Sequence, residues 1–130
     1  MPNFNLHIIK GSRTPEQIKK LADVVQQVSL NHFNAPPKDR YQVIIQHEPY
    51  ELIFEDTNLG FKRTDQLLFI QIFQQGRTAE IKQKFYGKLA EALNKETGLK
   101  GEDLVVTCLA NGKEDWSFGN GEAQFLAGAL

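Results

Sequence analysis

Phe4, Leu6 and Ile8 alternate with Asn5 and His7, and Ile9 closes the run, so residues 4–9 read as a strand of period two. Helical signals follow at once. Thr14-Pro15-Glu16-Gln17 has the form of a capping box, with threonine as N-cap and proline at the first helical position. Ile18, Leu21, Val24, Val25 and Val28 then share one face, and Pro36-Pro37 sets the limit of that helix. A second strand is predicted over Tyr41–His47. A short one near Leu52–Phe54 leads into the polar turn Thr57–Gly60.

The pattern then recurs. Leu67–Phe73 is an apolar run suited to a strand covered on both faces. Thr78 can cap a helix in which Ile81, Phe85, Leu89 and Leu93 recur every fourth residue, and Gly98 can end it in a left-handed conformation. Leu104–Leu109 supplies the last strand. An offset of 64 residues, without a gap, lays Arg13-Thr14 on Arg77-Thr78, Glu16 on Glu80, Lys20 on Lys84 and Asp39 on Asp103. The chain therefore reads as one α/β (α+β) domain, residues 1–130. It comprises two pseudo-symmetric βαβ units, about 3–48 and 66–110, and a tail over 111–130. Two such units make a four-stranded sheet with two helices on one face. The other face stays bare, and a bare apolar face predicts self-association.

Composition narrows the partners. A net charge of −1 gives no electrostatic reason to expect nucleic acid or an anionic membrane surface. No apolar stretch reaches the ~18 residues of a membrane span, and MPNFNLHIIKGSR lacks the pattern of a signal peptide, so a cytoplasmic protein is expected. The single cysteine, Cys108, allows no internal disulfide and reads as a packed thiol in an apolar strand. His7, His32 and His47 show no metal-ligand spacing, so no metal site is expected. Phosphate loops, dinucleotide fingerprints and nucleophile elbows are likewise absent, so an enzyme built on this chain needs no recognisable cofactor motif.

A few residues can carry chemistry. Proline directly after the initiator methionine normally becomes the first residue, with a free secondary amine. An α-amine titrates near pH ~8 and can serve as acid or as base. A nearby arginine or apolar burial favours the neutral base, and a carboxylate favours the protonated acid. Arg77 stands where a strand passes into a helix N-terminus, a place suited to a carboxylate. Arg13 is its weaker copy. Asp39 precedes a strand after Pro36-Pro37, where turn chemistry would also account for it. Trp116, Phe118 and Phe125 lie in a glycine-rich tail and must bury either in the core or in a pocket wall.

Several of these features are shared with a known family. Pro2 ahead of the first strand, Pro37-Lys38-Asp39-Arg40-Tyr41-Gln42, Glu55-Asp56-Thr57-Asn58-Leu59-Gly60, Arg77 and Asp115-Trp116-Ser117-Phe118-Gly119 together resemble the malonate semialdehyde decarboxylase branch of the tautomerase superfamily. The resemblance implies a tautomerase (MIF-like) fold, a homotrimer, and a cofactor-free site acting on small 2-oxo or 3-oxo acids. It also implies Pro2 as acid or base, Arg77 as carboxylate clamp, and Asp39 tuning Pro2 or activating water. Trp116, Phe118, Phe125 and Leu130 would line the pocket. One position departs from the pattern. The decarboxylase carries two arginines flanking a proline, whereas this chain reads Gln75-Gly76-Arg77, so Gln75 offers a hydrogen bond without charge.

Three functions follow from these readings. In the first, Pro2 ketonises an enol of a 2-oxo acid such as phenylpyruvate. In the second, a protonated Pro2 assists decarboxylation or hydration of a 3-oxo acid. The third is a non-catalytic oligomer that keeps the fold.

Overall fold

The computed structural model describes residues 2–130, and Met1, on whose removal the amine of Pro2 depends, lies outside the described residues. Strand β1 (Asn3–Ile9) is followed by helix α1 (Pro15–His32) and strand β2 (Tyr41–His47). Strand β3 (Leu68–Gln74), helix α2 (Ala79–Thr97) and strand β4 (Leu104–Ala110) repeat that order. The four strands form one mixed sheet in the order β2-β1-β3-β4. Pairing is parallel within each half and antiparallel where β1 meets β3.

Local chemistry sets the helix limits. Gln17 N–H donates to Thr14 Oγ1, while the Gln17 side chain accepts from Thr14 N–H, so both donors at the start of α1 are satisfied. Thr78 caps α2 through Ile81 N–H. Gly98 ends α2 at φ 76°, in the left-handed region that a side chain would disfavour.

Alternation along β1 and β3 sends Phe4, Leu6, Ile8, Leu68, Ile70 and Ile72 toward the helices. There they meet Leu21, Val25 and Val28 of α1 and Phe85, Leu89 and Leu93 of α2. Phe85 touches two other aromatic rings, Phe33 at 4.3 Å and Phe4 at 6.5 Å between centroids. Cys108 packs against this core, as expected, and its sulfur accepts a hydrogen bond from Tyr86 at 3.3 Å. Burial, then the contact with Cys108, pushes the Tyr86 hydroxyl up to about 12.

The structure corrects two expectations. Residues 52–54 form no strand; after a 3-10 turn at Pro49–Glu51 the chain contributes a side chain to the sheet rather than a ladder, with Phe54 on Phe69 at 4.8 Å. The face away from the helices is also less apolar than predicted. Its central strands carry Asn3, Asn5, His7 and Gln71 together with Phe69 and Phe73, while Tyr41, Val43 and Leu109 stand exposed on the edge strands. His7 donates from Nε2 to Gln71 Oε1 at 2.7 Å, leaving Nδ1 to accept from His47 Nε2 at 2.8 Å. This face thus mixes the His47–His7–Gln71 hydrogen bonds with the rings of Phe69 and Phe73 at its centre and apolar residues at its edges. No helix among the described residues is long and apolar enough to cross a membrane.

Phe85 joins the β1 side of the core to the end of α1. Phe85→Ala should therefore lower unfolding free energy by about 3–5 kcal/mol, read from urea titrations at fixed protein concentration.

Candidate active site

The antiparallel β1–β3 pairing decides what meets at each end of the sheet. Asn3 lies opposite Tyr41 on one side and Phe73 on the other. One end therefore gathers the starts of β1 and β2, with Pro2 and Asp39 just ahead of them. It also gathers the ends of β3 and β4, with Gln75, Arg77 and Asn111 just beyond. Pro2 is buried there.

Arg77 is held in two ways. Its Nε donates to Phe33 O and its Nη1 to Gln75 O, each at 2.9 Å. The guanidinium also stands 4.3 Å above the Phe33 ring, an attractive cation–π contact. Two of five N–H groups are thus used on the main chain, and the others remain for an anion. Burial lowers the Arg77 value from its ordinary one, an effect opposed by Cys108; the group starts so high that it stays charged at neutral pH. An arginine fixed before a ligand arrives loses less entropy on binding one.

Asp39 is half-buried at the turn before β2, where its N–H donates to Pro36 O at 3.2 Å. Among the described residues, no donor reaches its carboxylate. Burial pushes the carboxyl above its ordinary value, while the positive amino terminus pulls it back. Its motif neighbours serve the scaffold instead. Arg40 reaches Asp23 of α1 at 2.8 Å, and Gln42 Nε2 donates to Ala22 O at 2.8 Å, which ties β2 to α1.

The tail supplies an aromatic wall on the outer face of the sheet. Trp116 stacks on Phe118 at 5.2 Å, Phe125 meets Phe118 edge-on at 5.3 Å, and Phe118 lies 5.7 Å from Tyr41. A four-residue helix, α3 (Gln124–Ala127), presents Phe125, and the Trp116 indole donates to Asn111 Oδ1 at 3.2 Å. A depression of about 320 Å³ beside this wall is lined by Asn3, Asn5, Phe73, Asn111, Asp115 and Trp116. A larger one, about 570 Å³, lies between the outward sides of α1 and α2, away from Pro2 and Arg77.

Most of the residues singled out in the sequence thus converge on one end of the sheet. Leu130, at the end of the tail, is 66% exposed in the single chain. Gln75 sits beside Arg77 with a buried Oε1 that has no partner among the described residues. Sequence reasoning missed Phe33, which supports Arg77, and Tyr41, which anchors the wall. It also missed Gln74, whose inward direction follows from continuing the β3 alternation by one step.

The opposite end shows the same plan put to structural use. Arg13, the counterpart of Arg77, donates Nη2 to Gln66 O at 2.6 Å. Asp103, the counterpart of Asp39, is 1% exposed and accepts from Thr64 N–H at 2.7 Å.

Known proteins resemble this chain in sequence and fold. Profiles described as "Tautomerase enzyme" match residues 39–119 and 2–62. "Probable tautomerase YrdN" of Bacillus subtilis (strain 168) is 45% identical over 130 residues, all of this chain and all of that protein. A malonate semialdehyde decarboxylase structure, studied for its decarboxylase and hydratase activities, superposes with a TM-score of 0.94 at 37% identity, covering 98% of each chain. A fused 4-OT solved as a symmetric trimer shares the fold, with a TM-score of 0.76 at 22% identity over 96% of this chain and 98% of its own.

The Asp39 shift has a stability consequence. A carboxyl whose folded value lies above its unfolded one favours folding less as pH rises from the ordinary carboxylate range through the folded value. Asp39→Asn in the full chain should therefore raise Tm modestly at neutral pH, and the gain should vanish on acidification below that range. Thermal melts across that interval check it.

Proposed function

The chain belongs to the tautomerase family, and from that premise we propose that it is an enzyme using the Pro2 amine, freed by removal of Met1, as acid or base on a small oxo acid. The reaction we favour is enol–keto tautomerisation of a 2-oxo acid such as phenylpyruvate. The observation that carries this reading is the fixed guanidinium of Arg77 at the sheet end where Pro2 is buried. Arg77 would hold the substrate carboxylate through its remaining N–H groups. A neutral Pro2 amine would take the enol proton from oxygen and return it to the neighbouring carbon. Trp116, Phe118 and Phe125 would exclude water from that transfer. No step calls for a metal or a cofactor. A homotrimer working in the cytosol completes the proposal, in keeping with the trimeric fused 4-OT.

A second reading draws on the 37% identity to malonate semialdehyde decarboxylase. There a protonated Pro2 would polarise the carbonyl of a 3-oxo acid while carbon dioxide leaves or water adds, with Asp39 supporting the charged amine. One cation in place of two weakens that reading. Gln75 stands where the decarboxylase has an arginine, and a charged contact contributes about 1.5–3 kcal/mol.

Kinetics with phenylenolpyruvate and with malonate semialdehyde separate the readings. Pro2→Ala should lower kcat for enol ketonisation by about 10²-fold or more. Arg77→Ala should lower kcat/KM by about 10- to 100-fold. Variants that ketonise the enol as fast as the parent would contradict the first reading. Proline-dependent release of carbon dioxide from malonate semialdehyde, without ketonisation, would establish the second.

A further inference from the structure

Gln74 is the last residue of β3 and continues the inward series Leu68, Ile70, Ile72, so its side chain faces the helices. It is 1% exposed, and its Oε1 is buried with no hydrogen-bond partner among the described residues. The main chain there is satisfied, since Gln74 O accepts from Asn111 N–H at 3.0 Å. An amide carbonyl enclosed in this way calls for a donor.

The sheet register indicates where a donor can come from. Asn3 pairs with Phe73 in the antiparallel β1–β3 ladder, so one step further Pro2 lies opposite Gln74. Pro2 also shares the inward face, because Phe4 and Leu6 of β1 point that way, and it too is buried. With Met1 attached, Pro2 is a tertiary amide and has no N–H to give. Removal of Met1 turns the same nitrogen into a secondary amine, with one N–H when neutral and two when protonated. The donor that Oε1 lacks is the one this processing creates.

We propose that Gln74 is a positioning residue whose Oε1 accepts a hydrogen bond from the Pro2 amine, fixing the direction of the nitrogen lone pair. The inference rests on the proposed role of Pro2 as a free amine. It adds a third influence on the proton at that nitrogen. Asp39, ahead of β2, favours the charged amine, and Arg77, beyond β3, opposes it. Arg40 is turned to Asp23, Asp115 Oδ2 accepts from Gly112 N–H, and the Tyr86–Cys108 pair lies on the α2–β4 side. A neutral carbonyl stabilises the protonated amine more than the neutral one, because the bond becomes charge-assisted.

The experiment is a titration of the Pro2 nitrogen by NMR, in ¹⁵N-proline-labelled protein without substrate, for the parent, Gln74→Met and Gln74→Glu. Gln74→Met keeps the length and removes the acceptor, and should lower the Pro2 value by about one unit. Gln74→Glu supplies a stronger acceptor and should raise it, which keeps the proposal testable if the methionine variant does not fold. A Pro2 titration that neither folded variant moves overturns the proposal, as does a purified parent that retains Met1. Because no substrate is present, a shift supports this assignment even if no oxo acid is turned over. An active enzyme with an unmoved Pro2 refutes this assignment alone.

Discussion

The antiparallel ladder between Asn3–Ile9 and Leu68–Gln74 is the constraint on which the rest depends. Each βαβ half is parallel inside, so each keeps its strand starts at one end and its helix entries at the other. Joining the halves antiparallel places the start of the first half beside the end of the third strand. Only then can a residue ahead of β1 share a neighbourhood with the residues that follow β3. A parallel junction would have separated Pro2 from Arg77 by the length of a strand, seven residues or about 23 Å.

The same ladder makes the two ends of the sheet near copies that differ in how their polar groups are satisfied. At one end Arg13 is joined to Gln66, and Asp103 is closed off by Thr64. Those groups lock the chain between the excursion 52–66 and the sheet. At the other end Arg77 is braced by Phe33 and two carbonyls and still has donors to offer, and Asp39 meets no donor among the described residues. Two amide oxygens, of Gln74 and Gln75, are buried there without partners among the described residues. Arg13 Nη1 at the opposite end and Ser29 Oγ of α1 also lack partners among the described residues, so it is the free donors of Arg77 beside these oxygens that mark where a ligand is expected.

Much of this was legible in the sequence, for physical reasons. Capping signals at Thr14 and Thr78 and the glycine at 98 act locally, so their helix limits agree with the structure. Strand alternation identified the inward residues of β1, Leu67–Phe73 read only as an apolar run covered on both faces, and the 64-residue offset located Arg77 and Asp39 at matching junctions. What was not legible depends on contacts between segments distant in the chain. Phe33 supports Arg77 across 44 positions, and nothing in the sequence around either residue announces it. The short strand predicted near 52–54 failed because apolar residues in a row cannot tell a ladder from a side chain laid on a sheet, which is what Phe54 does. The bare face is apolar only in part, because the two central strands place asparagine, histidine and glutamine outward beside Phe69 and Phe73.

The most direct measurement of the central claim is a crystal structure of the processed protein soaked with a non-reacting small 2-oxo acid. The geometry requires the carboxylate on the free N–H groups of Arg77 and the adjoining carbon next to the Pro2 nitrogen, with Trp116 and Phe118 at the apolar end. A carboxylate seated elsewhere, at Arg13 or between α1 and α2, with Pro2 touching nothing, would contradict it.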